Sequence, residues 1–367
     1  MIGLALSGGG SRAIAFHLGC MRALNDLGIL DNVRVLSTIS GGSVIGAYYA
    51  YYPDKDFKEF EEDIRKILLE GFNKKILCEL LSPKNLCPVL LNSFLTRIEG
   101  RIAYLQNREP LIERYPSRTD MFCNVLNKEV FPTLKISSRT RKEIDVVIGA
   151  CELRTGTAFR FGNKKSGFSR LGELVGNDVD LAFAVAASAA YPLLLPAFDR
   201  TLKFLKNDKE IRHRVALTDG GVYDNLGTQV LEPNRNPKYS LHTFPCEYII
   251  SCNAGHGLLS GNDFPISFYS RISKTFSVIH KRVQDARMNS LYQLKSSGMI
   301  KGFIMPYLGQ QDGALPWKPA SGLITREEVI SYPTDFSPMS EAWIDKLSNR
   351  GEQLTKLLVS CYLQELC

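Results

Sequence analysis

The chain has 367 residues and 41.0 kDa, with 44% hydrophobic and 23% charged residues, an ordinary globular balance that excludes a disordered, collagen-like or coiled-coil protein. Lys and Arg outnumber Asp and Glu by 45 to 38. The net charge of +7 suits an anionic surface such as a membrane and is weak grounds for a nucleic-acid partner.

The first 52 residues alternate. Ile2 to Ser7 is a short, nearly all-apolar run that predicts a parallel strand buried on both faces. Gly8-Gly-Gly-Ser-Arg12 follows, then a helix over Ala13–Leu27 that stops at Gly28. A second strand is expected at Val33–Thr38, a turn at Ser40-Gly-Gly-Ser43 and a helix over Val44–Tyr52. Strand, loop, helix, strand, turn, helix is the signature of a parallel α/β sheet with right-handed crossovers.

Pro53 breaks this order. Phe57, Phe60, Ile64, Ile67 and Phe72, then Leu91, Phe94, Leu95, Ile98, Ile102 and Leu105, recur at helical spacing, so residues 54–130 read as a helical insertion over the sheet. Strands resume at Glu143–Ala150, Ala158–Phe161, Val215–Thr218, Glu247–Cys252 and Ile300–Met305. A long helix is expected over Ile266–Lys295, a capping box at Thr325-Arg-Glu-Glu328, and a last helix from Ser340. No repeat or Ser/Gly linker interrupts the chain. The expectation is one domain over 1–367, with a mainly helical C-terminal extension at 311–367.

Nine cysteines are scattered without a CxxC pair, which argues for free thiols in a reducing compartment. No run reaches the roughly 18 apolar residues of a membrane span. Arg12 and His17 come too early for a signal peptide. The reading is a cytoplasmic protein that visits a membrane without crossing it. Basic residues gather at Lys135, Arg139, Arg141 and Lys142; at Lys203, Lys206, Lys209, Arg212 and Arg214; and at Arg271, Lys274, Lys281, Arg282 and Arg287.

Three motifs carry chemistry. The loop Gly8-Gly9-Gly10-Ser-Arg12, between strand and helix, presents amides to a negative centre. It fits a dinucleotide fingerprint, Gly8-x-Gly10-x-x-Ala13 with Asp26 and Asp31 downstream, or a phosphate cradle, though the P-loop pattern G-x-x-x-x-G-K-S/T is absent, or an oxyanion hole, or a turn needed only for packing. Thr38-Ile-Ser40-Gly41-Gly42 sits where a nucleophile elbow belongs, with Thr38 in place of the first glycine of G-x-S-x-G. Ser40 as a helix N-cap is the plainer alternative. Thr218-Asp219-Gly-Gly221 ends a strand, so Asp219 is either a general base or an Asx turn. A triad would need His17, His213, His242, His256 or His280. Of these, His256 in Asn253-Ala-Gly-His-Gly257 fits the order Ser, Asp, His.

In series, the Gly8–Arg12 loop, the Ser40 elbow, Ala186-Ala-Ser-Ala-Ala-Tyr-Pro192 and Asp219-Gly-Gly-Val-Tyr-Asp-Asn225 resemble the patatin-like phospholipase family over about residues 2–230. The resemblance implies a three-layer α/β/α hydrolase fold with a mainly parallel central sheet. It implies a lipid acyl hydrolase with a Ser–Asp dyad: Ser40 as nucleophile, Asp219 as base, an oxyanion hole from Gly8, Gly9, Gly10 and Gly41, and Arg12 positioning the loop or a phosphate. The substrate would be a phospholipid at an anionic membrane surface, with no cofactor and no essential calcium or zinc. The helices of 54–130 and Leu193–Leu195 would line an acyl channel. Some bacterial relatives damage membranes as toxins or defence effectors, and the sequence leaves that setting open. The other readings are a nucleotide-dependent oxidoreductase and a binding protein on a decayed hydrolase fold.

Overall fold

A computed structural model of the chain describes residues 1–192, 194–257, 261, 264–316 and 322–366. Strand β1 (Ile2–Leu6) leads into helix α1 (Gly10–Asp26), and β2 (Val33–Ile39) into α2 (Gly41–Tyr51). Helices α3 (Phe57–Glu70), α4 (Asn73–Leu81), α5 (Pro83–Leu105) and α6 (Arg118–Glu129) follow without a strand among the described residues. Next come β3 (Asp145–Glu152), β4 (Thr157–Gly162), β5 (Ser166–Phe168) and β6 (Gly172–Leu174), helix α7 (Leu181–Ser188), and a long hairpin of β7 (Phe198–Lys206) and β8 (Lys209–Asp219). The chain continues through α8 (Gly221–Asp224), β9 (Tyr248–Cys252), α9 (Phe268–Ser296), β10 (Gly302–Ile304), α10 (Arg326–Val329) and α11 (Glu341–Tyr362). Thr325 and Glu328 form the capping box at the start of α10.

The ten strands form one sheet in the order β10-β9-β1-β2-β3-β4-β5-β6-β7-β8, and β8 returns to pair with β3. From β10 to β3 every pairing is parallel. From β3 onward every pairing is antiparallel, and the β3–β8 contact closes this half into a barrel. The expectation of a mainly parallel sheet therefore needs correction: it describes one half. The physical reason lies in the connections. A parallel step needs a long crossover, whereas β4, β5 and β6 follow one another through tight turns. At the tip of the β7–β8 hairpin, Asn207 and Asp208 take φ of 48° and 59°. Two consecutive positive φ values are the mark of a two-residue type I′ turn. The barrel is filled by rings: Phe159 lies 4.8 Å from Phe161 and 5.6 Å from Phe168, and Phe168 lies 5.7 Å from Phe204.

Both faces of the parallel half are covered. Alternation along the strands turns Leu4, Leu6, Leu36 and Ile250 to one side, where they join Ile14, Leu18 and Val44 of α1 and α2 and Ile344, Leu347 and Leu354 of α11. Ala5, Val35, Val147 and Ile249 turn to the other, against Leu291 and Leu294 of α9. Layers of helix, sheet and helix follow from that alternation.

Helices α1 and α11 cross with their backbones nearly touching. A Cβ at Gly19 would fall 1.7 Å from the Ser348 carbonyl oxygen, and one at Gly351 would fall 2.2 Å from that of Phe16. Gly19→Ala should therefore lower the thermal midpoint by the equivalent of about 1–3 kcal/mol or more, as overpacking does. Gly100→Ala on α5, where a Cβ meets nothing within 4 Å, should raise it slightly through helix propensity. Thermal melts of the two variants followed by circular dichroism check the contrast.

Candidate active site

Ser40 stands between β2 and α2 with φ 52° and ψ −120°. A β-carbon is strained at positive φ, and such strain is the property of a serine lifted out of a sheet on a sharp turn. The glycines after it are needed for clearance. A Cβ at Gly41 would lie 2.2 Å from the Gly10 carbonyl oxygen, and one at Gly42 would lie 2.4 Å from that of Leu6. Thr38, the departure from the usual elbow glycine, is accommodated one turn into α2: its Cγ2 occupies the space where a Cβ on Gly46 would sit, at 2.5 Å. The elbow is also pinned from outside. The Ser40 amide donates to Ser188 Oγ at 2.9 Å, Ser188 donates to the Gly149 carbonyl at 2.6 Å, and Ser43 and Ser188 share a hydroxyl contact at 2.9 Å. Ser188 is thus a positioning residue. The sequence pointed to its segment but not to this role.

One edge of β3 brings Asp219 to Ser40. β2 runs along that edge and ends with Ile39 opposite Gly149. β8 arrives antiparallel and ends with Asp219 opposite Ala150. The two strands therefore end head to head on adjacent residues of β3. Both side chains are almost wholly buried, with Ser40 at 6% and Asp219 at 4% exposure. Burial pushes the Asp219 carboxyl up to about 6, while the Gly221 amide, donating at 2.7 Å, and the neighbouring Ser40 hydroxyl pull it down. A buried carboxylate with an ionisation near neutral pH, facing a serine hydroxyl, can take that hydroxyl's proton.

The glycine-rich loop lies against the elbow. Gly9 has φ 146° and Gly10 has φ 60°, and a Cβ on Gly10 would strike the Asp335 carbonyl oxygen at 2.3 Å. Gly10 and Gly41 open α1 and α2, so their amides lack intrahelical acceptors. The amides of Gly9, Gly10 and Gly41 have no acceptor among the described residues. Gly8 departs from the expected donor set: its amide is spent on the Asn225 carbonyl at 3.2 Å. Arg12 is buried and mostly committed. Its Nε donates to the Ala254 carbonyl at 2.9 Å and its Nη1 to that of Tyr332 at 3.2 Å, while Nη1 also meets the His256 ring. Arg12 therefore ties the loop to two distant segments. Its Nη2 lies beside Gly9, 3.4 Å from where a Cβ would be.

The histidines divide. His256 lines the same cavity, but burial and the Arg12 charge pull it down to about 4, and it contacts Tyr332 O at 3.0 Å, so it is a neutral prop of Arg12. His280 on α9 also lines the cavity, held down by burial and stacked on Phe276. His17 contacts the Ser7 carbonyl, His242 that of Lys165, and His213 sits on the β8 hairpin strand. Asp26 pairs with Lys356 and Asp31 with Lys142, so the acids of the dinucleotide reading are tied to other cations.

A cavity of about 370 Å³ opens over Ser40 and Asp219, walled by the glycine loop, by Tyr191 and Leu194, by Phe276 and His280 of α9, and by Thr334-Asp335-Phe336. The expected acyl-channel lining is corrected here. No residue of 54–130 and no part of Leu195 belongs to the described wall, Leu194 does, and Leu193 lies outside the described residues. The insertion instead backs the wall from one layer behind: Phe72 and Phe122 pack their rings on Phe336, at 5.9 and 5.3 Å, and the Phe72 amide donates to the Phe336 carbonyl at 2.8 Å. The 334–336 segment, which carries no motif legible in the sequence, is held by the Ser11 amide donating to the Asp335 carbonyl at 2.7 Å.

A search of curated protein sequences finds no match. Among solved structures, human GIVD cytosolic phospholipase A2 is similar at 13% identity and a TM-score of 0.56, covering 100% of this chain and 62% of that one. The same human enzyme in complex with methyl γ-linolenyl fluorophosphonate is similar at 15% identity and a TM-score of 0.57, covering 100% of this chain and 59% of that one. This chain thus spans about three fifths of the length of those structures, and the likeness is one of fold. The profile of the patatin-like phospholipases matches residues 4–231, the stretch that holds the glycine loop, the elbow and the Asp219 turn, and the chain belongs to that family.

Proposed function

We propose that this protein is a lipid acyl hydrolase that cleaves a fatty-acyl ester of a membrane phospholipid through a Ser40–Asp219 dyad. The observation that carries the reading is the buried Asp219 carboxylate facing the strained Ser40 on the floor of one cavity, beside amides that lack acceptors among the described residues. Ser40 Oγ attacks the ester carbonyl while its proton passes to Asp219. The developing oxyanion is held by the Gly9, Gly10 and Gly41 amides, which need no reorganisation when charge appears. Collapse breaks the ester bond, and the departing alcohol takes the proton from Asp219. Water then attacks the acyl-Ser40, again giving its proton to Asp219, and Ser40 leaves with the proton it needs. His256 and His280 take no proton in this scheme.

The substrate class is supported by the surface near the cavity. Phe264, Ile266 and Phe268 are 72–87% exposed at the start of α9, the helix that supplies Phe276 and His280 to the wall. Much of the basic charge is already matched: Lys135 pairs with Asp178 and Asp180, Lys142 with Asp31, and Arg214 with Asp199. Lys203 and Arg212 face each other across the β7–β8 hairpin with no carboxylate partner among the described residues. Like charges held opposite one another favour an anionic surface.

Ser40→Ala should lower ester hydrolysis by at least about 10³-fold with an unchanged circular dichroism spectrum. A fluorophosphonate probe should label the wild type at Ser40 alone, as mapped by peptide mass spectrometry. An adduct at Ser37 or Ser43 would move the nucleophile.

The pH dependence follows from Asp219. The base works only when ionised, so kcat/KM on a soluble ester should fall as pH drops through about 6. The same shift carries a stability cost. A carboxyl raised from the ordinary 3.8 is ionised in the folded state at a penalty that is absent below pH 3.8 and complete above about pH 6. Asp219→Asn should therefore lose most activity and gain more in thermal midpoint at pH 8 than at pH 4.

Changing Lys203, Lys206 and Arg212 together to Gln should weaken binding to phosphatidylglycerol vesicles about tenfold or more at low salt. Lys135→Gln with Lys142→Gln, whose charges are internally paired, should leave it nearly unchanged. Vesicle sedimentation at two salt concentrations reads both, and equal binding by the two variants would remove the hairpin from the docking surface.

A further inference from the structure

Behind the cavity, on the side of β1 and α1 away from Ser40, three side chains that the proposed chemistry does not use converge in the core. His17 and Cys20 lie three residues apart on α1, so they share one face of the helix. Cys252 is the last residue of β9, opposite Leu6 of β1. All three are 0% exposed, and one ring nitrogen of His17 and the two Sγ atoms lie within 4.8 Å of one another.

We propose that His17, Cys20 and Cys252 form a zinc site that fastens α1 to β9. Three observations carry this. The first is the donor set: an imidazole and two thiols at ligand spacing are the donors Zn²⁺ selects. The second is the state of the histidine. Nε2 of His17 contacts the Ser7 carbonyl at 2.9 Å, which fixes the proton on that nitrogen, and Nδ1, buried, has no hydrogen-bond partner among the described residues. A ring nitrogen anchored to a backbone carbonyl with its other lone pair left free is the arrangement of a metal-bound histidine. The third is charge. Zn²⁺ with two thiolates and a neutral imidazole sums to zero, and a neutral assembly is the one that a fully buried position tolerates. Binding one ion releases the two thiol protons to solvent and forms two Zn–S bonds and one Zn–N bond. The Gly351 carbonyl on α11, which accepts from the Cys20 thiol at 3.6 Å, is a neutral oxygen beside the site for a fourth position.

The site would join two parts of the cavity wall from behind. α1 begins at Gly10 of the glycine-rich loop, and the residues after Cys252 include Ala254, whose carbonyl accepts from Arg12. The role is one of fastening, and the ion takes no part in the ester chemistry.

The test uses the purified full-length chain, reduced and anaerobic, with Co²⁺ and Zn²⁺ as probes. Co²⁺ titration should give thiolate-to-metal charge-transfer absorption saturating at one ion per chain. Zn²⁺ should displace it, raise the thermal midpoint, and protect Cys20 and Cys252 from alkylation read by peptide mass spectrometry. Cys252→Ser should lose the absorption. The combined Cys78→Ser, Cys87→Ser and Cys361→Ser variant, which spares the core, should keep it. If Cys252→Ser does not fold, the protection map and this second variant decide. No absorption in the wild type, absorption lost with the outlying cysteines, alkylation of Cys20 and Cys252 unaffected by Zn²⁺, or a Cys20–Cys252 disulfide in the protein as isolated would each overturn the proposal. Metal uptake does not depend on ester hydrolysis, so either result leaves the proposed activity to be judged separately.

Discussion

The rest of this site depends on how one edge of β3 is shared. A strand edge offers a single row of hydrogen-bonding groups, and here the row is divided between two partners. β2 satisfies it up to Gly149 and β8 from Ala150 onward. Neither strand can extend without displacing the other. Each must turn out of the sheet at that point, and the two turns carry Ser40 and Asp219. Side-chain placement is thus a by-product of backbone saturation, the requirement that buried N–H and C=O groups be paired. Ser188 completes the arrangement from a third segment: its backbone carbonyl takes the Gly220 amide and its hydroxyl takes the Ser40 amide.

The same division explains the mixed character of the sheet. On one side of the shared edge, crossover helices keep the strands parallel and bury both faces. On the other, β8 can reach Ala150 only by travelling back along a hairpin, so the pairing there is antiparallel and the sheet curls until it closes. The seam between the two regimes is where backbone direction changes. Ligands in open α/β sheets favour such places because loops diverge there and leave a crevice.

Much of this was legible in the sequence, and the reason differs by element. β1, α1, β2 and α2 are buried on nearly all sides, so their apolar runs stand out, and the Gly8–Gly10 and Ser40–Gly42 turns are compositionally unmistakable. Thr218-Asp219-Gly-Gly221 was legible because a strand end followed by two glycines admits few conformations. The barrel was harder. β5 and β6 have three residues each, too few for a period to register. β7 and β8 carry Lys203, Lys206, Lys209 and Arg212 on a hairpin whose tip is solvated, which reads as a charged loop. Asn207-Asp208 was the available signal, since that pair tolerates consecutive positive φ. Contacts between remote segments left no local trace at all. The hold of Ser11 on Asp335, the placement of Ser188 under Ser40, and the convergence of His17 and Cys20 on Cys252 arise only once the sheet is assembled.

The reliance of the glycine-rich loop on Asp335 bears on the order of synthesis. Ser40 and Asp219 leave the ribosome early, but the carbonyl that receives the Ser11 amide, and the Phe336 ring that walls the cavity, come from the far end of the chain. Helix α11, which seals the outer face of α1, emerges later still. A nascent chain therefore holds both members of the pair before it holds a finished pocket. In a protein whose proposed substrate is the membrane, that delay separates translation from attack on lipid, and a truncated product would lack the wall as well as the seal.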